Sequence, residues 1–275
     1  MEKGLKDIPK VDLNDYEKGE EIGSGGFGRV YLVEHKVTKK KYAAKVNIVK
    51  DDIVKYVMRE IGILSDVHFP TIVNFIGVSL KDFDGNPNAT VLLEYYEKGS
   101  VNKVFKELDS TSRHIILTGV AHGLKILHSL NIIHRDIKPD NVLLDEHLHP
   151  YITDFGLSKH FDPEDPTNQT MHGGSPNYMA PEIIRKEAYD NSVDAYAFGI
   201  LMYEVIVGHR AFYNVYTGQR PRFDPKEKIN EQLKKLCAAC WDENPNERPI
   251  FEDIYNALSL KENNDYLLDG ANAEE

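Results

Sequence analysis

His134-Arg135-Asp136-Ile137-Lys138-Pro139-Asp140-Asn141 gathers one His, one Arg, two Asp, one Lys and one Asn into eight positions. Pro139 lacks an N–H and restricts Lys138, so the stretch cannot continue as a regular helix. Apolar residues anchor both ends, Ile132-Ile133 before it and Val142-Leu143-Leu144 after it. A charged turn held this way needs a rigid frame and a ligand that uses its charges.

The frame is read outward from the loop. On the N-terminal side Ile116, Val120, Leu124 and Leu127 recur at helical spacing and predict a helix over Ser112–Ser129 that leads straight into the loop. On the C-terminal side Tyr151-Ile152-Thr153 precedes Asp154-Phe155-Gly156, where the glycine permits a sharp reversal directly after an Asp. Residues 159–174 are polar and rich in turn formers, which predicts a mobile segment. Ser192–Val207 is apolar on most sides and predicts a central buried helix. Asp194 near its start suits bonding to backbone N–H groups elsewhere, or a plain helix-start carboxylate. Helices near Ile229–Cys240 and Ile250–Leu258 complete this part, and residues 259–275 read as an acidic, disordered tail.

The first third has a different texture. Ile22-Gly23-Ser24-Gly25-Gly26-Phe27-Gly28-Arg29-Val30 lies between two predicted strands, Tyr16–Ile22 and Arg29–Glu34. Its glycines let the backbone approach a ligand and point N–H groups at phosphate oxygens. A flexible hairpin is the plain alternative. Val30, Leu32 and Val33 continue as a strand, which favours a glycine-rich hairpin over a dinucleotide-binding turn. A third strand, Lys41–Ile48, alternates so that Lys45 shares a face with the small Ala43. Ile53, Val57, Ile61 and Leu64 predict a helix over Asp51–Val67, and Glu60 falls inside its apolar stripe. A buried carboxylate is costly unless paired, and Lys45 is the candidate partner, with a place at the rim of the stripe as the alternative. Ile72–Val78 and Val91–Glu94 predict further strands around an exposed turn at 81–88, and residues 1–15 read as a loose lead-in. The pattern changes at Glu94–Ser100. The expected architecture is α+β and bilobal: a strand-rich N-lobe (16–94) with one main helix, a hinge (94–98) and a helical C-lobe (99–258), the charged loop lying where the lobes meet.

Composition narrows the classes. With 275 residues, 41% hydrophobic and 28% charged, the chain suits one large domain or two lobes. A formal charge of −11 and no clustered basic face argue against nucleic acid. No apolar run reaches the ~20 residues of a membrane span, and no signal-peptide pattern appears. Glu2 stands where N-myristoylation requires glycine. The two cysteines, Cys237 and Cys240, have CxxC spacing but share helical phase with Ile229, Leu233 and Leu236, which favours a half-buried helix over a redox or metal site. A reducing, intracellular location, cytoplasmic or nuclear, is expected.

Taken in order, Gly23-x-Gly25-x-x-Gly28-x-Val30, Ala44-Lys45, Glu60, His134-Arg135-Asp136 through Asn141, Asp154-Phe155-Gly156 and Ala180-Pro181-Glu182 resemble the eukaryotic protein kinases over residues 16–258. The Cys240-to-Pro249 run resembles the tyrosine-kinase-like branch of the serine/threonine kinases. The resemblance implies phosphoryl transfer from ATP, with Mg²⁺ or Mn²⁺, to hydroxyls of protein substrates. It makes Ile22 through Gly28 the phosphate-covering loop, Lys45 the holder of the α- and β-phosphates, and Glu60 its orienting partner. Asn141 and Asp154 would carry the metal, hard oxygen donors for a hard cation. Asp136 would receive or orient the hydroxyl proton, and Lys138 would neutralise the moving phosphate. Lys138, two residues after Asp136, follows the serine/threonine pattern.

By the same resemblance, adenine lies between Val30 and Ala43 on one side and Leu143 on the other, the backbone at Glu94 and Tyr96 reads its edge, and Leu93 is the gatekeeper. Ser100 takes the ribose position or, equally, caps the next helix. Leu64, Phe75, His134 and Phe155 match the regulatory stack, and Glu182 pairs with Arg248. Arg135 would bind a phosphorylated residue of the activation segment, Thr170 first and Thr167 second, placed there by an upstream kinase or by trans-autophosphorylation. Ser175 would contact Asp136 and Lys138. One departure stands out: nine residues separate Gly208 from Gly218, where the family has a longer connection with its own helix, so that helix is expected to be missing or reduced to a turn. The competing reading is a pseudokinase scaffold, which would lack one or more of Lys45, Asp136 and Asp154, all present here.

Overall fold

The computed structural model describes residues 8–25, 28–48, 54–161, 174–226 and 228–259. The chain divides into two compact units, Met1–Tyr96 and Glu97–Glu275.

The first unit is built on a five-stranded antiparallel sheet in the order β1-β2-β3-β5-β4. Its strands are β1 (Tyr16–Gly25), β2 (Gly28–His35), β3 (Lys41–Asn47), β4 (Phe75–Ser79) and β5 (Thr90–Glu94). Helix α1 (Val54–Asp66) follows β3. Register divides the residues of the three central strands between two faces, since directly paired residues share a face. Val30 pairs with Lys45 and Lys45 with Val91; Leu32 pairs with Ala43 and Ala43 with Leu93. The opposite face carries Val33, Ala44 and Leu92, which form a buried cluster with Val11, Tyr16, Tyr31, Tyr42, Ile76 and Phe83 packed against it. The sheet thus spends one face on its own core and presents Val30, Ala43, Lys45 and Leu93 on the other.

Two expectations need correction. The last part of the lead-in is not loose: Ile8 and Leu13 are buried, Lys10 bridges Val78 in parallel, and the Val11 N–H donates to the Val78 carbonyl at 3.0 Å. Residues 8–15 therefore cover the outer edge of β4. The strand expected from Ile72 begins only at Phe75, because the Ile72 N–H closes a turn onto the Phe69 carbonyl at 3.0 Å.

The second unit is mainly helical. It opens with β6 (Gly99–Ser100) and α2 (Val101–Val104), then the long helix α3 (Ser110–Ser129). Asp109 caps α3 by accepting the Ser112 N–H at 2.7 Å, which starts the helix two residues before the expected position. Then come β7 (Ile132–Ile133), β8 (Val142–Leu144), β9 (Pro150–Ile152), β10 (Lys159–His160), α4 (Pro181–Ile184), α5 (Ser192–Val207), α6 (Glu231–Cys240) and α7 (Phe251–Ser259). Strands β6, β8 and β9 form one small sheet, and β7 pairs with β10. Helix α5 is buried from Val193 to Ile206, as its all-round apolar sequence predicts. Cys237 and Cys240 are free and fully buried, and burial raises both thiol pKa values, that of Cys240 to about 12, which favours the protonated thiol over the reactive thiolate. In the short 208–218 connection the described structure holds a single turn of 3-10 helix, Val215–Thr217, as the spacing predicts.

Candidate active site

In the first unit the glycine-rich stretch is a hairpin. Gly23 pairs with Val30, Ser24 with Arg29 and Gly25 with Gly28, while Gly26 and Phe27 lie outside the described residues. Ile22 sits one residue before this paired end of β1. Gly28 has φ 152°, and a Cβ there would stand 2.0 Å from the Val46 carbonyl oxygen, so no other residue fits without moving β3.

Lys45 and Glu60 meet. The Lys45 Nζ donates to Glu60 Oε1 at 2.7 Å and Oε2 at 2.9 Å. The side chains are 14% and 2% exposed, so the carboxylate on the apolar side of α1 has the partner its burial demands. Ala43 and Leu93 flank this pair on the same sheet face, and both are buried. Glu94 takes the Lys40 ammonium at 2.6 Å through its side chain, and the Tyr96 hydroxyl accepts the Asn74 N–H at 3.2 Å. Leu64 and Phe75 are buried within this unit.

In the second unit the charged loop is fixed from beneath by Asp194, which is fully buried on α5. Its carboxylate accepts the N–H of His134 and the N–H of Arg135, each at 2.8 Å, and contacts His128 Nε2 at 2.9 Å. Burial alone would raise the Asp194 pKa, but the bonds from His128 and the loop backbone hold it below the ordinary carboxylate range. The His134 ring contacts the Thr153 carbonyl through Nε2 at 3.0 Å and accepts the Asp136 N–H at Nδ1 at 3.3 Å. Those partners require the neutral tautomer with its proton on Nε2, and burial lowers the His134 pKa in the same sense. The His134 and Phe155 rings lie edge to face with centroids 5.0 Å apart.

Around Asp136 the loop closes on itself. Lys138 Nζ donates to Asp136 Oδ2 at 2.6 Å and to Ser175 Oγ at 2.7 Å. The Asn141 amide nitrogen donates to the Asp136 carbonyl at 2.8 Å and to Oδ2 at 2.9 Å. The Ser175 N–H donates to Asp136 Oδ1 at 3.2 Å. Asp136 is therefore held from three directions while only 6% exposed.

Arg135 stands at φ 69°, with Nε donating to the Leu157 carbonyl at 2.5 Å and Nη1 to the Tyr189 hydroxyl at 2.8 Å. Thr167 and Thr170 lie outside the described residues. Leu143 and Ser100 are direct partners across β6 and β8. Ser100 occupies the N-cap position of α2 without a capping bond; its hydroxyl donates to Asn102 Oδ1 at 2.5 Å. Arg248 donates two hydrogen bonds to Glu182, Nη1 to Oε1 at 2.6 Å and Nη2 to Oε2 at 2.9 Å, with the Glu182 and Arg248 side chains 3% and 0% exposed.

The donor set fits a hard divalent cation carried partly by phosphate. With its amide nitrogen engaged by Asp136, Asn141 has its carbonyl oxygen left for a cation, and Asp154 adds a carboxylate. Asp154 takes a left-handed backbone, φ 66° and ψ 68°, a conformation an Asp adopts at some cost, just before the turn Phe155–Leu157 that contains Gly156. Among the described residues no cluster of three or more His, Cys, Asp or Glu forms a complete protein cage. Oxygen donors of this kind suit a hard divalent cation in general.

Sequence reasoning gave no role to Arg210, Asn102, Tyr178 or Glu204. Arg210 and Asn102 both bind Asp140, across 70 and 38 residues, and no local pattern signals pairs so distant.

A protein kinase domain model matches residues 16–258. A probable serine/threonine-protein kinase of Dictyostelium discoideum is 30% identical over 270 residues, 92% of this chain and 20% of that protein. The serine/threonine-protein kinase CTR1 of Arabidopsis thaliana is 30% identical over 271 residues, 92% of this chain and 32% of that protein. The dual specificity protein kinase shkB of Dictyostelium discoideum is 29% identical over 282 residues, 95% of this chain and 42% of that protein. The chain spans between a fifth and about two fifths of the length of these relatives. With the kinase motifs in their expected order and a family match across both units, the chain belongs to the eukaryotic protein kinase family.

Proposed function

We propose that the chain is an ATP-dependent serine/threonine protein kinase whose catalytic domain spans residues 16–258, with the connection at 94–98 between its lobes. The observation that carries this reading is the arrangement around one carboxylate: Asp136 bound by Lys138, Asn141 and the Ser175 N–H. Asp136 is the group that orients the substrate hydroxyl and receives its proton, an effect typically of ~10²–10⁴-fold. Lys138, already poised between Asp136 and Ser175, offsets negative charge as the phosphoryl group moves. Lys45, held by Glu60, grips the α- and β-phosphates, and the backbone N–H groups of Gly23 through Gly28 cover them. Asn141 and Asp154 would hold Mg²⁺, or Mn²⁺ in its place, which would supply neutralisation of phosphate charge. Val30, Ala43, Leu93 and Leu143 provide apolar surface for adenine, Glu94 and Tyr96 its backbone contacts, and Ser100 a ribose contact.

Serine/threonine preference rests on Lys138 and on the names of two relatives. Regulation rests on Arg135 as the group that would take a phosphate on Thr170 or Thr167, supplied by an upstream kinase or in trans, in exchange for its bonds to Leu157 and Tyr189. No described helix is long and apolar enough to cross a membrane. The two free thiols suit a reducing compartment, the cytoplasm or nucleus.

The test is incorporation of labelled phosphate from ATP into a generic basic protein, with Mg²⁺ and then Mn²⁺, followed by mapping of the modified residues. Phosphoserine and phosphothreonine are expected, and Asp136→Asn abolishes them. No incorporation by chain pretreated with candidate activating kinases would overturn the reading. Phosphotyrosine alongside phosphoserine would move the chain to dual specificity, the property named for one relative.

A further inference from the structure

The loop contains one carboxylate that phosphoryl transfer leaves without a task. Asp140 follows Pro139 in the turn that ends at Asn141. One of its oxygens accepts the Asn102 amide at 2.8 Å, and the other accepts Arg210 Nη2 at 2.5 Å. Arg210 does not end there. Its Nη1 donates to the Tyr178 hydroxyl and lies 3.5 Å from Glu204 Oε2. Tyr178 ends the turn Pro176–Tyr178, whose preceding residue is Ser175. Ser175 in turn is bound to Asp136 and Lys138.

These contacts form a closed ring: Asp136, Ser175, the turn to Tyr178, Arg210, Asp140, Asn141 and back to Asp136. The root of Arg210 is fixed as firmly as its head. Glu204, buried on α5, accepts the Ala211 N–H at 2.8 Å and the Tyr178 hydroxyl at 2.8 Å. The Tyr213 hydroxyl donates to the Asn177 carbonyl, a second hold by the same short segment on the same turn. A guanidinium is the side chain that spans two such partners, because its planar fork aims separate N–H groups in fixed directions; an ammonium is a single point.

We propose that Arg210 is a positioning residue that closes this ring, holding the Pro139–Asn141 and Pro176–Tyr178 turns at a fixed spacing and so fixing Asp136 against the surface that receives the substrate hydroxyl. It touches no reacting atom. The inference deepens the kinase reading and rests on it for its catalytic consequence, but the ring itself is a property of the second unit alone.

The test compares the whole chain with Arg210→Met, Arg210→Lys, Asp140→Asn and the double variant Arg210→Met/Asp140→Asn. Steady-state kinetics on the generic substrate are read beside amide hydrogen exchange at Ser175 and across 139–141. A small displacement of catalytic groups typically costs up to ~10²-fold, so a kcat loss of roughly tenfold or more is expected for Arg210→Met, with KM for ATP within about twofold. Exchange at Ser175 should speed up while the core of α5 stays protected. Arg210→Lys should resemble Arg210→Met, since charge without the fork does not span both turns. Asp140→Asn should add little in the Arg210→Met background, because both changes open the same ring. If Arg210→Met does not fold, Arg210→Lys carries the same comparisons. Unchanged kcat and unchanged Ser175 exchange would overturn the proposal, as would additive losses or a deficit explained by a smaller folded fraction. If the unmodified chain transfers no phosphate, the kinase reading fails, and the exchange data alone still decide whether Arg210 closes the ring.

Discussion

Asp194 accepts the Arg135 N–H at 2.8 Å, and Arg135 stands at φ 69°, a backbone state that a non-glycine residue holds only when its surroundings impose it. The second oxygen of the same carboxylate takes the His134 N–H at 2.8 Å. One buried side chain on the central helix thus fixes two successive backbone groups of the charged loop. Asp194→Ala strands both N–H groups without a partner, and bonds to a charged acceptor contribute ~1.5–3 kcal/mol each. The expected loss in unfolding free energy is about 3 kcal/mol or more, measured by urea titration. Asp194→Asn keeps one acceptor and should cost about half as much. In both variants kcat should fall further than the folded fraction does.

The Lys45–Glu60 pair makes a different prediction. Lys45→Met removes the ammonium proposed to bind phosphate and also takes from a carboxylate that is 2% exposed the ammonium 2.7 Å away. Breaking a buried pair from one side costs ~3–5 kcal/mol, less where solvent reaches one partner, so about 2 kcal/mol is expected here. Combining it with Glu60→Gln should recover part of that stability, because no buried charge is left. Phosphoryl transfer should stay absent in both. Chemical unfolding beside the labelled-ATP assay separates the two effects, and a stable, fully active Lys45→Met would refute them together.

Much of this was legible from spacing because local periodicity and burial coincide. Alternation in β3 put Ala43 and Lys45 on one face, and the pairing register places them there. The 3.6 period put Glu60 among Val57, Ile61 and Leu64, all buried on α1. Asp194 was readable as a carboxylate trapped at the start of an all-apolar helix. What escaped lacks a period. Residues 8–15 dock through scattered Ile8, Val11 and Leu13, too few for a pattern. Strands β6, β7 and β10 are two residues long, shorter than any alternation can show. The Arg210–Asp140 contact spans 70 residues and the Arg135–Tyr189 contact 54, so both depend on how distant loops are brought together rather than on a local signal.

Glu182 and Arg248 are a pair whose worth lies in the fold alone. Arg248 also donates to the Asp242 carbonyl at 2.9 Å and the Ser192 carbonyl at 3.3 Å, tying α4 to the start of α5 and to the segment just after α6. Arg248→Met should cost about 3–5 kcal/mol, since Glu182 is then buried and unpaired. Arg248→Lys should recover little of it, because one ammonium replaces a fork that serves three partners. The measurement is thermal unfolding; a melting temperature unchanged in Arg248→Met would show that the pair is dispensable.

The neutral state of His134 sets an acid limit on stability. Burial lowers its pKa below the ordinary value of 6.5, against the pull of Asp194 and Asp136. His114, half-buried, shifts the same way, again because its partial burial disfavours the charged ring. In the unfolded chain both rings take up a proton as pH falls through 6.5, while the folded chain resists, so the unfolded state binds more protons and stability falls. The sign is opposite to that of a histidine held in an ion pair, whose contribution grows on acidification. Unfolding free energy should therefore be flat from pH 8 to 7 and decline from roughly pH 6.5 downward, before the carboxylates titrate. His134→Phe removes one of the two titrating rings. It also leaves the Thr153 carbonyl without its ring partner and the Asp136 N–H without its acceptor, so it should be less stable at pH 8, yet lose less between pH 7 and 5.5. Urea titrations at those pH values measure both the intercept and the slope, and an unaltered slope in the variant would show that His134 is protonated as readily in the folded chain as in the unfolded one.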